Sequence, residues 1–286
     1  MAPASEPPRL VGMVLTASAA QVGVEPFFME LIGGMEEVLA PAATSVLLLV
    51  VPDLAAELAT YRRWAAEAIV AAVVVVNLVH DDERPAALAA IALPAVLAGR
   101  YAGPAAFTSV VTDDVGAMTA AVRWLHSLGH RIVGRVSGPA ELVHTAERSA
   151  AMRESGRRLG IEVRIVEADY GADRGVSGAR ELLACPEPPT AIIFDNDVMA
   201  VAAEADLVRA DVQVPGQVSL LACDDSALCE LAVPPMSAMS IDVHDHGVTI
   251  GRAVLDVLSG APRREHVGPT IRILSRDSTD SAFDGE

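Results

Sequence analysis

Short apolar runs alternate with amphipathic stretches along almost the whole chain. The runs are Leu10–Leu15, Val46–Val51, Val73–Val76, Pro94–Leu97, Ile132–Val136, Val163–Val166, Ala191–Phe194 and Val218–Ala222. Each is short, rich in β-branched residues and mostly apolar on both faces, the pattern of parallel strands covered on both sides. Between them, apolar residues recur at three- and four-residue spacing. The clearest case opens at Pro26, a favourable first-turn residue, and continues through Phe28, Leu31, Ile32, Met35, Val38 and Leu39. Further helices are predicted near Asp53–Ala66, Val115–Leu128, Thr145–Leu159, Gly175–Leu183, Val198–Arg209 and Val248–Leu258. Repeated βα units of this length predict a doubly wound α/β architecture.

So many units exceed one comfortable sheet, so two Rossmann-like lobes with parallel sheets are predicted. The N-terminal lobe takes residues 9–112 plus 242–264, and the C-terminal lobe 113–241 plus 265–283. The tail must cross back, because Val248–Leu258 and Ile271–Leu274 still carry helix and strand patterns; these crossings would form a multi-strand hinge. Only Met1–Pro8 and Asp277–Glu286 read as disordered.

Composition narrows the chemistry. The 286 residues are 52 % hydrophobic, yet no apolar run reaches the ~18 needed to span a bilayer. Met1–Leu10 lacks a basic segment followed by an apolar core, so a cytoplasmic setting is expected. Thirty-eight acids face 21 bases for a net charge of −17, and every base is an arginine. The absence of lysine excludes a Schiff base, a pyridoxal phosphate site and a P-loop. The charge deficit argues against a nucleic-acid surface made by this chain alone. Cys185, Cys223 and Cys229 lack CxxC spacing and read as reduced thiols. No G-x-S-x-G elbow or G-x-G-x-x-G cradle is present, so neither a catalytic residue nor a cofactor is assigned. The Asp242, His244, Asp245, His246 cluster has no shared-face metal spacing and reads as a capped, solvated loop.

Polar groups concentrate where strands end. Asp195, Asn196 and Asp197 follow Ala191–Phe194, and Asp224 and Asp225 follow Val218–Ala222. In open parallel sheets the carboxyl ends of strands border the ligand crevice. Arg148 opens a predicted helix, where a cation gains nothing from the macrodipole, and this placement points to a specific partner.

The ordered set of motifs resembles the ligand-binding core of the LacI/GalR family of bacterial transcription regulators, a core similar to ribose-type periplasmic binding proteins. It runs through E-P-F-F-M-E-L-I-G-G-M-E-E (Glu25–Glu37), A-V-L-A-G-R (Ala95–Arg100), V-T-D-D-V-G-A (Val111–Ala117) and L-G-H-R-I-V (Leu128–Val133). S-G-P, the helix begun by Arg148, N-D-V-M-A, V-P-G-Q-V-S-L-L and D-D-S follow in family order. Departures are Glu25 for the usual asparagine, Cys223 for a common aromatic, Trp124 for a histidine and Ala117 for a glycine.

The resemblance implies a sugar-like effector held between the lobes. Phe27 and Tyr170 would flank a ring, Arg148 would clamp hydroxyls, and Asp224 would grip them. Asn196 and Asp197 match a ligand-facing pair, with Asp197 also a capping candidate; Asp113 and His144 are further candidates. Phe28 reads as core and Asp225 as the helix cap. Ligand closure would alter operator affinity of a full-length homodimer, through a helix-turn-helix head absent from this chain: eight residues precede Arg9. Two other classes stand beside this one: a headless cytoplasmic solute-binding protein, and a sugar-acting enzyme using carboxylates across the cleft, for which no nucleophile is evident.

Overall fold

The computed structural model describes residues 9–16, 25–103 and 107–282. The predicted disorder at Met1–Pro8 and over 283–286 lies outside the described residues. Strands run β1 Arg9–Thr16, β2 Thr44–Val51, β3 Ala72–Val75, β4 Ala95–Ala98, β5 Thr108–Val111 and β6 Ile132–Ser137. They continue as β7 Glu162–Glu167, β8 Ala191–Phe194, β9 Ser219–Cys223, β10 Ser237–Ser240, β11 Glu265–Val267 and β12 Arg272–Leu274. The helices are α1 Pro26–Leu39, α2 Leu54–Ala66, α3 Arg84–Ala90, α4 Asp114–Ser127 and α5 Val143–Leu159. After them come α6 Ala172–Leu183, α7 Asp197–Arg209, α8 Ala227–Leu231 and α9 Val243–Leu258.

The chain divides into two compact units, one built from residues up to Thr112 with Val243–Pro269, the other from Asp113–Asp242 with residues from Thr270 onward. Unit 1 holds a sheet of order β2-β1-β3-β4-β5-β11, parallel throughout. Unit 2 holds β7-β6-β8-β9-β10-β12, parallel except for β12, which runs antiparallel to β10. Two predicted boundaries need correction. β11 joins unit 1, because Glu265–Val267 pairs in register with Ser109–Val111; residues 265–269 therefore leave the C-terminal lobe, and Asp242 enters it.

Each sheet is sandwiched by helices over an apolar core. In unit 1, Leu31, Met35, Ile250 and Val254 seal one face against Val11, Met13 and Val74. α1 and α9 pack closely enough that a Cβ on Gly34 would lie 1.9 Å from His244 O, and one on Gly247 2.1 Å from Leu31 O. Phe28 is buried there, as read. Unit 2 buries Val136, Ile192, Phe194 and Leu220 on one face, and Val133, Ile193 and Leu221 on the other.

The predicted tail disorder fails over residues 277–282. Ser278 Oγ donates to Leu220 O at 2.8 Å and accepts from Ser237 N at 2.7 Å, and Asp280 O accepts from Ser219 Oγ. Buried strand-edge polar groups need such partners, which keeps the tail in place. Among the described residues no helix is long and apolar enough to cross a membrane.

Candidate functional site

Strand order in unit 2 reverses direction between β6 and β8, the switch point where an α/β sheet opens a crevice beyond its carboxyl ends. β6 leaves through Ser137 and Gly138, and β8 through Asp195. Tyr170, past the end of β7, adopts a left-handed backbone (φ 67°) that brings its ring onto Gly138. A Cβ on Gly138 would sit 2.2 Å from the ring carbon Cζ, so only glycine leaves room. The phenol oxygen lies 2.8 Å from His144 Nε2 and 3.2 Å from Thr145 Oγ1, both in the first turn of α5. Burial, then the Arg148 charge, pushes the His144 imidazole down to about 4, so it is neutral at pH 7.

One turn further along α5, Arg148 Nε donates to Asp114 Oδ1 at 2.7 Å, with side chains 18 % and 7 % exposed. Burial works against the guanidinium charge, but Asp114 more than offsets it and holds Arg148 protonated. α5 starts at Val143, so Arg148 sits in the second turn rather than opening the helix, as its position in the sequence suggested. Asp114 was missed in the sequence. Of the Asp113-Asp114 pair, Asp113 is exposed and caps α4 by accepting from Gly116 N at 2.9 Å, whereas Asp114 is turned inward. The signal was the doubled acid itself: a cap needs only one carboxylate.

Asn196 and Asp197 are both buried. Asn196 is the cap of α7, accepting from Met199 N at 2.9 Å, and its Nδ2 donates to Tyr170 O at 3.0 Å. Asp197 therefore does not cap; its Oδ2 accepts from Ser226 N at 3.0 Å and ties α7 to the approach of α8. Nor does Asp225 cap α8. Ser226 does so, while Asp225 forms a two-pronged pair with Arg276 at 2.6 and 2.9 Å. Asp224 is half-buried with a left-handed backbone (φ 72°). Its neighbour Cys223 lies within electrostatic reach of Arg148 and Asp195, which places the end of β9 beside the same cluster.

The structure thus brings His144, Arg148, Tyr170 and Asn196 together beyond the carboxyl ends of β6 and β8, with Asp224 at the adjoining strand end. Phe27 belongs to unit 1, half-buried at the start of α1 and edge-on to Phe28 at 5.3 Å. The Asp242–His246 segment is not a loop: from Val243 it is the first turn of α9, with His244 Nε2 2.8 Å from Glu37 Oε2. Among the described residues no group of His, Cys, Asp and Glu is arranged to hold a metal. None of the cysteines is disulfide-bonded; Cys223 and Cys229 are buried and Cys185 half-buried.

The profile of the periplasmic binding protein-like domain matches residues 122–279. The HTH-type transcriptional repressor CytR of Escherichia coli is 29 % identical over 184 residues, covering 63 % of this chain and 53 % of that protein. The HTH-type transcriptional regulator CelR of Thermobifida fusca is 31 % identical over 193 residues, 66 % of this chain and 57 % of that one. The chain therefore spans about half the length of the curated relatives it matches. A solved LacI family transcriptional regulator from Bifidobacterium animalis subsp. lactis superposes with TM-score 0.86 at 29 % identity, covering 96 % of this chain and 99 % of that one. A CelR–cellobiose complex gives TM-score 0.85 at 26 % identity, with 96 % and 86 % covered.

Proposed function

The chain belongs to the periplasmic binding protein-like domain family, as the ligand-binding core of a LacI-family regulator, and from that premise we propose that it senses a small, uncharged, sugar-like effector. One observation carries this reading: the β6/β8 crevice collects a half-buried guanidinium, an aromatic ring and a neutral imidazole. Vicinal hydroxyls suit the planar donors of Arg148 and the acceptor oxygens of Asp224, and a ring face suits Tyr170. Because Asp114 already balances the Arg148 charge, a polyanion would meet an excess of carboxylates. Asn196 and Asp197 frame the crevice, while Phe27 and Asp113 are proposed as further ligand contacts.

A ligand shifts a conformational equilibrium only by binding one state better than the other. In the whole protein, effector binding would change affinity for operator DNA, contacted through a part outside this chain, and DNA would change effector affinity by the same factor. We place the protein in the cytoplasm as a homodimer. Leu231 and Val233 (78 % and 79 % exposed), close to the partly exposed Leu228, support that assembly with an apolar surface on unit 2.

The test is a thermal-shift panel of cellobiose, glucose, ribose and adenosine. Ligand at a hundred times its Kd stabilises by about 2.7 kcal/mol. Arg148→Ala and Asp224→Ala should each abolish the ligand-induced rise in Tm, whatever their own baseline. A rise of wild-type size in both variants would remove these residues from the site.

A further inference from the structure

Arg135 is mid-strand in β6, beside Ile193 of β8, at a position where a cation costs several kcal/mol unless every donor is met. Its side chain and that of Asp195 are wholly excluded from solvent. They meet fork to fork, Nε to Oδ1 at 2.7 Å and Nη2 to Oδ2 at 2.6 Å. Arg135 Nη1 also donates to Ser149 Oγ at 2.9 Å, and Nη2 makes a long contact of 3.5 Å to Thr145 O. Asp195 Oδ2 accepts a further bond from Gly138 N at 2.8 Å.

These bonds join the three pieces that carry the ligand groups: the β6 exit under Tyr170, the turns of α5 bearing His144 and Arg148, and the β8 exit leading to Asn196. We propose that the Arg135–Asp195 pair is a positioning device for the ligand-binding face, setting the direction in which α5 presents Arg148 and His144. The inference rests on the effector-binding reading above. Stability alone does not account for the pair, since well-packed apolar residues at such positions are commonly as stable or more so. What an apolar pair cannot supply is direction: two parallel N–H···O bonds fix the relative orientation of both strand ends.

The double variant Arg135→Leu/Asp195→Ala removes both charges together, and Arg135→Lys keeps the charge while losing the fork. Three quantities are read: Tm, the titration of the His144 imidazole by NMR in the ligand-free chain, and the Kd for cellobiose by calorimetry. His144 faces Arg148, Asp114, Asp195 and Arg135, and the last two act on it in opposite senses. Deleting both therefore leaves its field nearly balanced, so a move from about 4 towards the ordinary ~6.5 reports loosened packing around α5. The expected result is a folded double variant with that upward move and about tenfold weaker binding, roughly 1.4 kcal/mol. A folded double variant with wild-type His144 titration and wild-type Kd overturns the proposal. If the double variant does not fold, Arg135→Lys is judged by the same two readouts, and wild-type values there also overturn it. If cellobiose binds no form of the chain, the His144 titration decides alone, and the effector reading is judged separately by the sugar panel.

Discussion

Two titratable residues of unit 2, the half-buried His144 and the buried Glu204, pull stability in opposite directions with pH. His144 titrates near 4 in the folded chain against about 6.5 when unfolded, so its contribution is present above about 6.5 and lost as pH falls towards 4. Glu204, 1 % exposed on α7, has an Oε1 with no hydrogen-bond partner among the described residues, and burial pushes its carboxyl up to about 7. A raised acid behaves the other way: its contribution is complete below the ordinary value of 4.5 and lost as pH rises through 7. Between these limits each slope approaches about 1.4 kcal/mol per pH unit, with opposite sign, and the two largely cancel. Relative to wild type, Glu204→Gln should therefore gain stability as pH rises from 4.5 to 6.5, and His144→Gln should lose it. Urea melts across that range check the pair; three parallel profiles would contradict it. A pH-independent offset from a buried amide leaves these slopes unchanged.

At the scale of elements, close helix packing competes with helix propensity. Gly34→Ala in α1 gains roughly 1 kcal/mol of intrinsic preference. The new methyl would nevertheless stand 1.9 Å from the His244 carbonyl of α9, and overpacking of that kind costs about 1–3 kcal/mol or more. Crowding wins, so Gly34→Ala and Gly247→Ala should both lower the urea midpoint; an unchanged or higher midpoint would show that α1 and α9 separate easily. The strands were legible wherever both faces are apolar, as in β1, β3 and β8. β5 (Thr108–Val111) and β10 (Ser237–Ser240) went unread as apolar runs because hydroxyl residues occupy half or more of their positions or flank them. The Ser237 hydroxyl is satisfied by the backbone of Arg276, just past β12 and 39 residues on in sequence.

For the molecule as a whole, a net charge of −17 carried against arginine alone opposes both compactness and self-association. Raising NaCl from about 0.01 M to about 1 M shortens the screening length from roughly 30 Å to 3 Å. Tm should rise along that series, and the proposed homodimer should tighten. Leu231→Arg, which puts a charge on a residue 78 % exposed, should leave the unfolding free energy within about 0.5 kcal/mol of wild type while shifting sedimentation towards monomer. Wild-type sedimentation in that variant would move the assembly surface elsewhere.

Alternating apolar runs and helical stripes were enough to determine the two-lobed α/β architecture, because a buried parallel strand and an amphipathic helix each impose a local period on the chain. Strand-end acids and amides likewise marked the carboxyl ends of β8 and β9, where the effector site of unit 2 is proposed. Which of those polar groups cap helices and which pair with arginines was decided only in three dimensions. Asn196 rather than Asp197 caps α7, Asp114 rather than Asp113 meets Arg148, and Arg276 takes Asp225 away from α8. β11 joined unit 1 for the same kind of reason, its ladder with β5 closing over 150 residues of intervening chain. Periodicity is a property of neighbours in sequence, whereas the partner of a carboxylate or a strand edge is set by what folding brings within 3 Å of it.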